Sequence, residues 1–81
     1  MLRESANFIA KRLIGYTAED IYEIWSDMGL VIKDKSGEWI LTELGSSVGG
    51  RMSKNTYLSV PTFDPETIIA KMIEWNKSKK M

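Results

Sequence analysis

The 81-residue chain contains neither cysteine nor histidine. Missing both removes the usual zinc ligands, the Cys–His nucleophile pair and the Ser–His base together, so zinc-finger and catalytic-triad readings are closed. The absence of cysteine agrees with a reducing compartment. There is no run of eighteen apolar residues and no charged-then-apolar leader, so neither a membrane span nor a signal peptide is expected, and a cytoplasmic location follows. Net charge is also missing: eleven lysines and arginines balance eleven acids, which leaves no overall field to draw the protein toward nucleic acid or anionic lipid. No internal repeat or low-complexity segment breaks the chain.

What is present suits one small folded domain. Apolar residues make up 43% and charged ones 27%, ordinary values for a globular protein. A chain of this size buries a little over ~60% of the surface that its unfolded form exposes, so its core must be used economically. Charge is unevenly spread: residues 1–28 hold three bases and five acids, whereas residues 29–54 and 55–81 each hold four bases and three acids.

Helical spacing organises the first third. Ser5 is placed to cap a helix whose Ala6, Ile9, Ala10 and Leu13 recur on one face, with Lys11 and Arg12 outward near its end, where the dipole favours them. Gly15 stops it. Thr17 opens a second helix with Asp20 three residues on, close to a capping box. Its inward positions are Ile21, Ile24, Trp25 and Met28, with Trp25 as the central core residue. The opposite face is centred on Glu19, Glu23 and Ser26, flanked by Asp20, Asp27 and Tyr22. That face has four acids and no base.

After Gly29, Leu30–Lys33 and Glu38–Leu41 flank the polar Asp34-Lys35-Ser36-Gly37, a hairpin signal with Trp39 in or beside the core. Thr42 caps a short third helix, Glu43–Val48, expected to bury Leu44 and Val48 before Gly49-Gly50 ends it. Residues 51–63 read as a loop, with a short extended piece at Leu58–Val60 before Pro61. Asp64-Pro65-Glu66 is a strong helix start. The final helix, 64–79, carries Ile68, Ile69, Met72, Ile73 and Trp75 on a wide apolar arc and ends in Lys77, Lys79 and Lys80. An arc this wide leaves part of itself for a second copy of the chain, through Ile69, Met72 and Trp75, or for a neighbouring domain in a longer parent architecture. The expected class is mainly α with a small β-hairpin (α+β): one domain over residues 1–81, with a winged helix-turn-helix at 5–50 and a C-terminal helix.

The runs Ile9-Ala10-Lys11-Arg12-Leu13, Gly15-Tyr16-Thr17-Ala18-Glu19-Asp20-Ile21, Met28-Gly29-Leu30 and Trp39-Ile40-Leu41-Thr42-Glu43-Leu44-Gly45 carry a resemblance. Over roughly residues 5–50 the sequence resembles the carboxy-terminal KilAC-type winged-helix domains of phage antirepressors and related prophage regulators. That resemblance implies a DNA-binding domain, usually following another domain, in the lysis–lysogeny decision of a mobile element. The chain departs from it in its shortness, its tail after Gly50 and the acidic outer face of its second helix.

Two functions compete. As a DNA-binding regulator, the domain would depend on a rim of Lys11, Arg12, Lys33, Lys35, Arg51 and Lys54, since non-specific affinity comes from cations neutralising phosphates; four acids on the groove-facing helix make binding by a monomer weak. As a protein-interaction module of antirepressor type, it would present Glu19, Tyr22, Glu23 and Ser26 to a basic partner such as a repressor or polymerase subunit. Enzyme chemistry is not expected, because acids on a solvated convex face lack the enclosed setting that acid–base catalysis uses. Neither a metal nor a cofactor is expected.

Overall fold

The computed structural model describes residues 3–55 and 58–79, so Thr56, Tyr57 and Lys80 lie outside the description. Among the described residues the chain is a small α+β domain: α1 (Ala6–Arg12), α2 (Ala18–Asp27), β1 (Val31–Lys33), β2 (Trp39–Leu41), α3 (Glu43–Ser47), β3 (Arg51–Asn55), β4 (Leu58–Thr62) and α4 (Pro65–Lys79). Its strands form two separate two-stranded antiparallel sheets, β1–β2 and β3–β4. Among the described residues no helix is long and apolar enough to cross a membrane.

Local chemistry fixes most helix ends. In α2 the Thr17 hydroxyl accepts from the Asp20 N–H at 3.1 Å while the Asp20 carboxylate accepts from the Thr17 N–H at 2.9 Å, the reciprocal pair of a capping box. Asp64 caps α4 by accepting from both the N–H and the hydroxyl of Thr67, at 3.0 and 2.8 Å, and these bonds hold its pKa below the ordinary carboxylate value. Ser5 departs from expectation. It occupies the N-cap position of α1, but its side chain makes no capping bond. The chain here is held instead by backbone: the Glu4 N–H donates to the Phe63 carbonyl at 2.9 Å and the Phe63 N–H to the Glu4 carbonyl at 3.0 Å, a bridge tying the start of the chain to the segment before α4.

The β1–β2 hairpin forms as its turn residues predict, in the register Val31↔Leu41, Ile32↔Ile40, Lys33↔Trp39. The Asp34 carboxylate closes the turn by accepting from the Ser36 and Glu38 N–H groups, at 2.8 and 3.0 Å. A second hairpin replaces the loop expected at 51–63. Residues β3 and β4 pair from Arg51↔Thr62 to Asn55↔Leu58, and the Thr62 hydroxyl donates to the Arg51 carbonyl at 2.9 Å. The sequence conceals this hairpin because Arg51-Met52-Ser53-Lys54-Asn55 has no apolar alternation and β4 contains Pro61, which cannot donate to a ladder.

The core contains Ala6, Ile9 and Ala10 from α1, Ile21 and Trp25 from α2, Leu30 and Val31 after it, Phe63, and Ile68 and Met72 from α4. Trp25 is completely buried, as expected; Ile24 and Met28 are half-buried against that core. Two corrections follow from α3. Leu44, expected inside, is 51% exposed, and the helix turns Gly45 inward instead. A Cβ at Gly45 would stand 2.1 Å from the Leu30 carbonyl oxygen and one at Gly50 would stand 2.7 Å from the Gly45 carbonyl oxygen, so backbone packs directly on backbone along this seam.

Gly45→Ala tests this seam. Helix propensity would favour alanine by about 1 kcal/mol, but the clash is with fixed backbone and falls at or beyond the upper end of the ~1–3 kcal/mol typical of overpacking. Urea denaturation is expected to show a net loss of about 2 kcal/mol or more.

Candidate functional site

The outer face of α2 is built by the inner one. With Ile21 and Trp25 drawn into the core, helical geometry leaves Glu19, Glu23 and Asp27 exposed. Asp20 is engaged in the capping box, so three acids face solvent. Tyr22, expected beside them as a contact residue, has a structural position. Its ring stacks on Trp39 of β2 with centroids 5.3 Å apart and planes 7° apart, and meets Trp25 edge-on at 5.9 Å. Burial raises the pKa of its phenol above the ordinary value. Ser26 is half-buried. Of the four residues assigned to partner binding, Glu19 and Glu23 are fully presented.

The six cations expected to form a rim divide among different elements. Arg12 is committed within the chain: its guanidinium makes a two-pronged contact with the Glu4 carboxylate at 2.6 and 2.7 Å. The hydrogen bond and charge of that pair hold Glu4 below the ordinary carboxylate pKa and raise Arg12. Lys11 lies over the exposed Phe8 ring, 5.2 Å from its centroid, and Lys33 over Trp39 at 5.1 Å. Lys35, Arg51 and Lys54 are exposed. Lys33 and Lys35 therefore sit on one hairpin, Arg51 and Lys54 on its neighbour, and Lys11 and Arg12 on α1. Arg3, absent from the expected rim, donates to the Gly49 carbonyl. No group of three or more potential metal ligands comes together among the described residues.

The residues expected at a dimer interface, Ile69, Met72 and Trp75, all border one groove beside α4, at different depths. Met72 is 7% exposed and belongs to the core, because α4 turns the Ile68–Met72 edge inward. Ile69 and Trp75 are half-buried and, with Met72, line a groove of about 160 Å³ whose other apolar walls are Leu13, Tyr16, Ile24 and Ile73. At one end of this groove Lys79 approaches Asp27 at 3.8 Å, an exposed and weak ion pair.

Comparison with protein-family models, curated proteins and solved structures finds no match for this chain. Its surfaces must be read from their chemistry. Spacing does not single out Ile14, which is 100% exposed in the α1–α2 turn, whereas Ile73, named on the wide apolar arc, is 52% exposed on α4. Ile73 was detectable as part of the wide α4 arc; Ile14 had no such signal, since it continued an apolar run.

The Arg12–Glu4 pair has a pH signature. Glu4 has a depressed folded pKa, so its contribution is fully present above the unfolded value of about 4.3 and is lost as pH falls through the lower folded value. Glu4→Gln is expected to lower the urea midpoint modestly at neutral pH and to converge on the unsubstituted chain as pH falls through the lowered folded value of Glu4. A difference that persists undiminished into acid would show that the pair contributes nothing.

Proposed function

We propose that this chain is a small winged-helix-type regulator that acts by binding another protein, with the outer face of α2 as its contact surface. Support for the winged-helix reading comes from α1 and α2, packed together across a tight turn and followed at once by the β1–β2 hairpin, and from the resemblance to KilAC-type domains. The observation that carries the protein-binding reading is the exposed acidic row Glu19, Glu23 and Asp27 on a helix without a single base. A helix so charged is repelled by phosphate. The partner that fits it is a protein with a basic surface, such as the DNA-contacting face of a repressor, and the consequence of binding would be to occupy that face. No catalytic step is assigned to the domain.

DNA binding by another route is a second reading, favoured by the exposed Lys33 and Lys35 on one hairpin and Arg51 and Lys54 on the next. Those cations could follow a phosphate backbone without α2 entering a groove.

Fluorescence anisotropy with a duplex at physiological salt separates the readings. The domain is expected to bind duplex DNA no more tightly than the ~10⁻⁴–10⁻⁶ M of non-specific association, and Glu19→Lys/Glu23→Lys is expected to abolish capture of a basic partner by at least about 100-fold in Kd. Sub-micromolar, sequence-dependent binding to DNA would overturn the protein-binding reading.

A further inference from the structure

We infer that α4 pairs with a second copy of the chain, antiparallel, about a two-fold axis that passes between Ala70 and Ile73. The stripe concerned is Glu66, Ala70, Ile73 and Lys77. At ~100° per residue these four positions fall within about 60° of one another on the helix, and all four are exposed. Their 4-3-4 spacing is that of a coiled-coil seam. Ile68 and Met72 lie buried on the inward side of the same helix, so the stripe is a separate outward face.

Charge selects the occupant. The stripe is acidic at one end and basic at the other, with an apolar middle. A foreign peptide of either sign would meet repulsion at one end. A parallel copy would set like charges against each other at both ends. An antiparallel copy matches everything: Glu66 meets the partner's Lys77, Lys77 meets the partner's Glu66, and Ile73 packs over the partner's Ala70, whose small side chain lets the helices approach. The two helix dipoles also run opposite. Among the described residues neither Glu66 nor Lys77 has an ion-pair partner within 4.0 Å. Ile69 and Ile73 also border the apolar groove beside α4, so pairing extends cover over its margin.

The seam from Glu66 to Lys77 spans about 16 Å, which places the contact at the small end of specific interfaces and makes the dimer weak and concentration-dependent. Nothing in it involves α2, so its failure leaves the proposed function standing, and the reverse also holds.

Sedimentation equilibrium of the full chain from about 5 to 500 µM is the experiment, a range in which weak dimers with micromolar Kd reveal themselves. A reversible monomer–dimer equilibrium is expected. Ile73→Glu should be monomeric throughout while keeping the circular dichroism spectrum and melting of a folded monomer, because the site is exposed. Glu66→Lys and Lys77→Glu should each weaken self-association by about 10-fold or more at low salt. Their equimolar mixture should recover the affinity of the unsubstituted chain, since each mixed pair then joins opposite charges. A strict monomer at the highest concentration would overturn the inference and leave the stripe to a different partner. A dimer indifferent to Ile73→Glu, or a mixture no tighter than its components, would overturn it too.

Discussion

Everything in this domain is arranged around the complete burial of one indole. Trp25 sits under Phe63, with ring centroids 4.8 Å apart and planes inclined at 64°, and under Tyr22, which in turn stacks on Trp39. This aromatic series joins α2 to the first hairpin on one side and to the segment leading into α4 on the other. Edge-to-face and stacked pairs are each worth roughly 0.5–1.5 kcal/mol beyond their buried area, a large share for so short a chain. The burial has a cost. The Trp25 Nε1 atom is enclosed with no hydrogen-bond partner among the described residues, which offsets about 1–3 kcal/mol of that gain.

The same constraint decides what α2 can offer outside. With one edge committed to Ile21 and Trp25 and another to the Tyr22–Trp39 stack, its remaining surface is the acidic row. The cations are committed differently. Arg12 is bound to Glu4, Arg3 reaches the carbonyl of Gly49, and Lys11 and Lys33 lie across aromatic rings. A neutral chain thus becomes a molecule with distinct charged regions: acid on α2, base on the β3–β4 hairpin, and opposite charges at the two ends of the outward stripe on α4. Net charge conveys none of this, because the distribution is set by which residues the fold uses for its own connections.

How much of this was legible in the sequence depends on how local the cause is. The capping box at Thr17, the Asp64 cap, the Asp34 turn and the burial of Trp25 are governed by residues within a few positions of one another, and all are readable from type and spacing. The β3–β4 pairing is not, because its strands are held by Thr62 reaching Arg51 and by their backbone ladder rather than by an alternating apolar face. Phe63 escaped notice for a similar reason: its backbone partner, Glu4, is 59 residues away. Spacing puts Leu44 inside because periodicity marks which residues are apolar and cannot register that the Leu30 carbonyl approaches position 45 too closely for any residue but glycine. The wheel position of Tyr22 on the outer flank reads as a surface contact; the Trp39 ring on which it stacks comes from seventeen residues downstream.

The two amphipathic helices therefore resolve their surplus in opposite ways. In α2 the inner face is saturated by aromatic contacts, and what remains is charge of one sign, a surface that repels its own kind and suits an opposite partner. In α4 the core takes Ile68 and Met72 and leaves Ile73 and Ala70 outside between a carboxylate and an ammonium. A face with an apolar centre and opposite charges at its ends is complementary to its own reversed image, so the property that makes α2 an unsuitable dimer surface is the one that α4 lacks. The heterologous binding proposed for one helix and the self-association proposed for the other share one physical origin: a core too small to absorb both helices whole leaves one face of each exposed.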